Sequence, residues 1–276
     1  MTTKTTSPPR NRDISNGLWA LSAGALINLG LLVFQLTASG TGPRDFLVLT
    51  PAAVLYVVSA FRCVFPNRYE DQIVFHDTPL SSIMLTRLLA TAVEVSWIFQ
   101  FSHVLRRFNV DNIAAITIGS WLMVVQVVVS QMFVWTAILT GRLRAYVFEE
   151  AGWAVIFVIN TVASITLLLS NSGTDFEAVA RHGGLLLVLN VVWGVLYLPW
   201  QTFHLRSLLS DGSGEDHQPF SWQGVLEGAR IATFRRRRRT DAQSWGGVVG
   251  LTWMVGYWAT VIPLWVHVVV VEVGRR

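Results

Sequence analysis

The sequence predicts an all-α, polytopic membrane protein: a bundle of seven transmembrane helices with a cytoplasmic N-terminus and an external C-terminus. Three observations lead there. Of 276 residues, 52% are hydrophobic and only 14% charged, with a mean hydropathy of +0.48. A soluble domain carries about 25% charged residues, so much of this chain's surface must face something other than water. Uncharged apolar stretches recur at the length that crosses a hydrocarbon core, about 20 residues. They are continuous rather than alternating, which excludes a β-barrel.

The first apolar stretch, 18–39, follows a polar tail (1–17) carrying Lys4, Arg10 and Arg12. Its apolar run exceeds the core of a signal peptide and lacks a small-x-small exit, so it reads as a retained helix. Spans follow at 46–65, 80–105, 113–140, 146–170 and 182–209, separated by breaker-rich connectors such as 40–45 and 171–175. Residues 18–206 thus hold six helices. Residues 207–245 form a long cytoplasmic loop, and 246–276 hold the seventh span (246–271) and the external end.

Orientation rests on arginine placement, because the cytoplasmic side of a membrane protein collects basic residues. With the N-terminus inside, the cytoplasm receives Lys4, Arg10, Arg12, Arg68, Arg142, Arg144, Arg206, Arg230 and the run Arg235, Arg236, Arg237, Arg238, Arg239. The outside receives Arg44, Arg106, Arg107, Arg181, Arg275 and Arg276. Lys4 is the only lysine, a bias that fits a GC-rich bacterial genome, and the expected location is the plasma (inner) membrane.

The loop 207–245 has an amphipathic stretch with Trp222, Val225, Leu226 and Ala229 at helical spacing, followed by the arginine run. Such a segment is expected on the inner leaflet, where each arginine gains about 1 kcal/mol from anionic lipid. A run this short and tied to the bilayer does not read as a nucleic-acid tail.

Ionisable groups within hydrocarbon are costly and therefore candidates for function. The third span holds two. Counted from residue 80, Arg87 lies about 10 Å deep and Glu94 about 21 Å deep, on nearly the same face, with Thr91 between them. That vertical gap predicts water, Thr91 or another helix between the two charges. Trp97 and Phe101 extend the stripe outward. Arg62 closes the second span. Glu149 and Glu150 open the fifth, where a helix N-terminus favours carboxylates. Being 100° apart, only one of the two is expected to point squarely into the bundle. Asn28, Gln35, Gln126, Gln131, Asn160, Asn190 and Gln201 lie in helices and need interior partners.

Tryptophan is abundant, at 12 residues. An interfacial belt accounts for Trp19, Trp121, Trp222 and Trp245. Trp97, Trp193, Trp253 and Trp258 fall inside spans, where indole faces pack or hold a cation or a flat apolar ligand. His103, His182 and His267 sit near the outer ends of their spans, but none belongs to a metal-binding pair and no metal is expected. Cys63 is the single cysteine, which leaves no disulfide framework. With no lysine in any span, a retinal Schiff base is impossible. There is no D-D-x-x-D, no P-loop and no G-x-S-x-G, so no cofactor is expected.

Several phrases carry a resemblance: Phe61-Arg62, Asp77-Thr78-Pro79-Leu80-Ser81-Ser82, and Arg87-Leu88-Leu89-Ala90-Thr91-Ala92-Val93-Glu94. Trp135 with Leu139-Thr140, Glu149-Glu150-Ala151-Gly152-Trp153, and Glu227-Gly228 complete it. They resemble an uncharacterised family of seven-span proteins of marine microbes and algae, and the likeness covers most of the chain. It implies that these positions are worth testing. In architecture the chain also resembles integral-membrane terpene cyclases, compact seven-helix proteins that use intramembrane acids and aromatic walls.

The expected function is a membrane-embedded enzyme acting on an isoprenoid or other lipid, with proton-initiated cyclisation as one form. Glu94 would be the acid, with Glu149, Glu150 and Thr91 as further catalytic candidates. Arg62 and Arg87 would hold the head of a hydrophobic small-molecule substrate, and Trp97, Phe101, Trp135, Trp153, Asn190, Trp193 and Trp200 would line its site. The alternatives are a proton- or ion-coupled transporter or channel using Glu94 and Arg87, and a seven-helix sensor or accessory subunit.

Overall fold

The computed structural model describes residues 14, 17–37, 45–69, 71–142, 144–171, 184–211 and 221–274. Among them are seven helices long and apolar enough to cross a membrane, so the chain is an all-α, multi-pass membrane bundle. In chain order these are α1 (Leu18–Thr37), α2 (Phe46–Val64), α3 (Ile83–Phe108), α4 (Ala114–Thr140), α5 (Arg144–Asn171) and α6 (Gly184–Asp211). The short helix α7 (Trp222–Phe234) follows. The last span runs from α8 (Gly247–Val255) through a π-helical segment, Gly256–Val261, into α9 (Ile262–Glu272).

Local chemistry sets the helix ends. The Asp45 side chain accepts from Leu47 N at 2.9 Å and starts α2, and Ser82 does the same for α3 by accepting from Leu85 N at 3.2 Å. Gly141, at φ +70°, terminates α4 in the left-handed conformation that lets a glycine close a helix. Residues 80 and 81, expected inside the third span, instead belong to a 3₁₀ turn that opens with Pro79. The span therefore begins three residues later, and Arg87 and Glu94 lie about 6 Å and 16 Å along it. The third span also ends three residues later, at Phe108, and the other described ends move by at most two. The expected ends of the first and sixth spans at 38–39 and 182–183, the basic residues Lys4, Arg10, Arg12, Arg44, Arg181, Arg275 and Arg276, and His182 lie outside the described residues.

Sequential helices pack on one another from α1 to α6, and the last span returns to pack against α1 and α2. It does not close tightly onto α6, and that gap is the origin of the cavity described below. Gly24 lets α1 approach the last span closely, since a Cβ there would stand 2.3 Å from the Ala259 side chain. The half of the bundle where α3 ends is solid, with Val48, Val104, Leu105, Phe108, Ile116, Val269 and Val270 all buried.

The other half ends in a small sheet that the apolar periodicity does not announce. Strands β1 (Asn67–Arg68) and β2 (Ile73–Val74) form an antiparallel hairpin, and β3 (Arg237–Arg238) adds in parallel to β2. The arginine run is thus not simply a surface strap. Arg237 N donates to Gln72 O and Arg239 N to Val74 O, and Arg236 pairs with Asp77 at 2.9 Å. Because β-pairing uses main-chain groups, the run docks on the 67–74 hairpin while Arg235, Arg237, Arg238 and Arg239 keep their side chains exposed. Helix α7 also differs from expectation. Its small residues turn to the bundle, with Ala232 buried and Gly228 so close that a Cβ would meet Leu139 O at 2.0 Å. Val225 and Ala229 share that half-buried face, and Trp222, Leu226 and Phe234 point away from it, exposed.

Candidate functional site

A cavity of about 590 Å³ lies in the half of the bundle that carries the sheet. Each wall is a helical stripe. From α5 come Tyr146, Glu149, Glu150, Trp153 and Phe157, and from α6 come Trp193, Tyr197, Trp200 and His204. Both sets follow the three-and-four spacing that puts side chains on one helix face. Helix α3 contributes Arg87, Glu94 and Trp97. Arg62 enters from the last turn of α2, and Asn67, Arg68 and Tyr69 from the hairpin. Trp245, Gly246, Gly250, Met254, Tyr257 and Trp258 complete the ring from the start of the last span. Trp97 and Phe157 lie about 20 Å from the ends of their helices, so the aromatic floor is near the bilayer midplane and the mouth is at the sheet.

The walls carry three arginines (Arg62, Arg68, Arg87) and three glutamates (Glu94, Glu149, Glu150). They are not equivalent. Arg87 Nη2 donates to Glu94 Oε2 at 2.8 Å and Nη1 to Oε1 at 3.4 Å. Gln131 of α4 closes the group: its Nε2 donates to Glu94 Oε2 at 2.7 Å, and its Oε1 accepts from Arg87 Nη2. The expected gap between the charges is therefore bridged directly. Helical side chains lean toward the N-terminus, so Glu94 reaches back while the long arginine stem extends to meet it. Another helix joins the pair, as the spacing predicted, but as a clamp rather than as a spacer.

Among the described residues Arg62 has only neutral partners. Its Nη1 donates to Asn67 Oδ1 at 2.5 Å and its Nη2 to Asn67 O at 3.5 Å. Its guanidinium carbon stands 5.1 Å from the Trp258 ring centre and 5.6 Å from that of Tyr69. Asn67 is itself fixed, donating to Ser81 O at 3.2 Å and Thr86 Oγ1 at 2.6 Å. Among the described residues no carboxylate lies within 4 Å of Arg62.

Both neighbouring glutamates reach the cavity, against the expectation that only one would. They diverge around it. Glu149 is buried one helical turn before Trp153, whereas Glu150 turns to α6, accepting from Gln201 Nε2 at 2.6 Å and lying 3.4 Å from His204 Nε2. The helix begins at Arg144, so neither carboxylate sits in its first turn. The helix-start explanation for these acids does not hold.

Of the predicted site residues, Glu94, Glu149, Glu150, Arg62, Arg87, Trp97, Trp153, Trp193 and Trp200 line the cavity. Thr91, Phe101, Trp135 and Asn190 do not. Trp135 Nε1 donates to Thr91 Oγ1 at 3.1 Å across the α3–α4 seam. Phe101 is packed against Trp265 at 4.5 Å in the core beyond the floor. Asn190 donates to Asn160 and Ser164, holding α5 to α6. Trp245 leaves the interfacial belt: it is buried at the mouth, and its indole donates to Arg239 O at 2.9 Å. Tyr69, Tyr197, His204 and Tyr257 were not anticipated, although the spacing 193, 197, 200, 204 contains two of them. Gln131 was seen only as a polar residue needing a partner.

At the opposite end His103 pairs with Asp45 at 2.9 Å, and His267 lies 5.7 Å from the Phe34 ring. Among the described residues no three potential metal ligands come together. Comparison of the chain with family models, with curated proteins and with solved structures returned no match.

Proposed function

We propose that the protein is a membrane-embedded enzyme acting on an isoprenoid or other lipid chain, in the inner membrane of a bacterium. Its N-terminus and cavity mouth would face the cytoplasm. The observation that carries this reading is the cavity itself: three glutamates above a floor of Trp97, Phe157, Trp193 and Tyr257, near mid-bilayer depth. A site of this volume and lining suits a drug-sized amphiphile, with its polar end at the mouth and its apolar chain on the rings. The orientation rests on Arg68, Arg142, Arg144, Arg206, Arg230 and the arginine run sharing the sheet end, against Arg106 and Arg107 at the other. The exposed arginines and Trp222, Leu226 and Phe234 fit an anionic leaflet at that end.

Glu94 has both oxygens engaged by Arg87 and Gln131, so its role is to anchor the arginine. Glu149 is then the acid. Its proton adds to a substrate double bond, the π pair becomes the new C–H bond, and the cation formed is stabilised by the aromatic faces. Loss of a proton to a cavity carboxylate restores a double bond, so an isomerised or cyclised chain leaves with no co-reactant consumed.

The experiment is mass spectrometry of the lipid that co-purifies with the protein, followed by incubation in D₂O. A single bound species that gains deuterium with the wild type, and not with a folded Glu149→Gln, is the expected result. No bound lipid, together with proton flux in liposomes, would replace this reading by proton-coupled transport. The π-helical segment at the cavity floor supports that second reading, because such segments mark places where a helix can shift.

A further inference from the structure

The two buried arginines of the cavity differ in one respect that bears on the ligand. Arg87 is neutralised by Glu94 within the protein. Arg62 is 6% exposed and lines the same cavity, yet its partners are an amide, a main-chain carbonyl and two aromatic rings. Among the described residues its Nε has no partner, as is also true of the Arg87 Nε, so the contrast lies in the counter-charge. A buried cation without a counter-charge is costly, and the locked Asn67 fixes its position. We infer that Arg62 is the receptor for a single negative charge on the ligand, and that the ligand is a long-chain amphiphile ending in a carboxylate.

The alternatives fit the walls less well. A diphosphate would bring two or more negative charges beside Glu94, Glu149 and Glu150 with one uncommitted guanidinium to meet them, and Arg68 is already bonded to Ser244 O. An alkylammonium would set its charge against Arg62. A carboxylate adds one acceptor group to one fork of donors, and its chain lies over Trp258 toward Tyr257, Trp97 and Trp193. The floor requires a long chain, since a short acid would leave the rings uncovered.

This inference rests on the cavity being a ligand site, as proposed above, but it is tested separately from catalysis. The protein in phosphatidylcholine nanodiscs is titrated with hexadecanoate, hexadecanol, hexadecylammonium, hexadecyl diphosphate and acetate, following tryptophan emission. Hexadecanoate is expected to bind about tenfold or more tightly than the other four. Arg62→Gln should remove that advantage and leave hexadecanol binding unchanged. Asn67→Asp places a carboxylate beside Arg62, at the cost of the hydrogen bonds that Asn67 donates to Ser81 O and Thr86 Oγ1, and should remove the advantage in the same way. The wild-type ranking of the five ligands tests the inference whether or not either variant folds. Tightest binding of the ammonium or the diphosphate would overturn the inference, as would equal binding of all five or an undiminished preference in Asn67→Asp. Carboxylate binding through Arg62 without deuterium uptake would leave the inference standing and remove the enzyme. Deuterium uptake by a bound lipid lacking an acid would do the reverse.

Discussion

The two halves of the bundle use the same residue types for opposite ends. In the solid half, polar side chains tie helix to helix: Gln100 donates to Val48 O at 3.1 Å, Ser102 to Ser120 O at 2.6 Å, and His103 meets Asp45. Arg106 sits over Trp121, its guanidinium carbon 4.0 Å from the ring centre. In the hollow half the polar groups surround a space, because α6 and the last span stand apart. A buried polar residue is therefore no mark of a site unless the helices around it leave room. The distinction lies in packing, and substitutions can be used to probe it.

The largest effect is expected at the pair that borders the hollow. Arg87→Gln leaves Glu94 buried without its counter-charge, which costs about 3–5 kcal/mol. Denaturation in detergent should show that loss, and Arg87→Gln with Glu94→Gln should regain most of it. Equal losses in the single and double variants would show that the pair is not coupled. Next comes packing. Leu105→Ala in the solid half opens a closed void and should cost about 2–5 kcal/mol. Trp193→Phe removes atoms that already border empty space and should cost distinctly less. A larger shift in melting temperature for Trp193→Phe would abolish the contrast between the halves.

Much of this architecture was legible before the fold was seen. Seven apolar runs gave seven helices, and Arg87 with Glu94 declared itself because charge in hydrocarbon is rare. Trp97, Trp153, Trp193 and Trp200, expected along the substrate, do border the cavity. That Thr91, Phe101, Trp135 and Asn190 face neighbours instead was not legible, because a polar or aromatic residue inside a span reveals nothing about whether its helix face meets a neighbour or a void. Tyr69 and Trp245 were missed because they arrive from segments outside the spans. Their position depends on β2 pairing with β3, a parallel match between two-residue strands far apart in sequence. No period in the chain encodes such a pairing.

Two smaller predictions concern the segment between α6 and the last span. In Gly228→Ala the added methyl would overlap Leu139 O, so α7 must lift from α4. Limited proteolysis within 221–239 should quicken while the bundle's melting temperature holds. An unchanged cleavage rate would mean that α7 is not held there by close packing. The smallest effect lies in the turn before the last span. Hydrogen bonds from the Ser244 main-chain N–H and hydroxyl hold the Asp241 carboxyl below the usual carboxylate range. A depressed value means that the turn's stabilisation is complete above the unfolded value, about 3.9, and is lost as pH falls through the folded one. The protection factor of the Ser244 amide, taken against its intrinsic exchange rate at each pH, should fall on acidification below that range, and Asp241→Asn should flatten the response.

The sheet at the mouth also sets an order of assembly. Strand β3 leaves the ribosome after β2 by roughly 160 residues, which is on the order of 10 to 30 s of synthesis. Throughout that interval β1 and β2 have an unpaired edge, and four of the spans are made while the last is still missing. The chamber is therefore built as an open trough and roofed last, so a nascent chain can be loaded from the side before its final helix arrives.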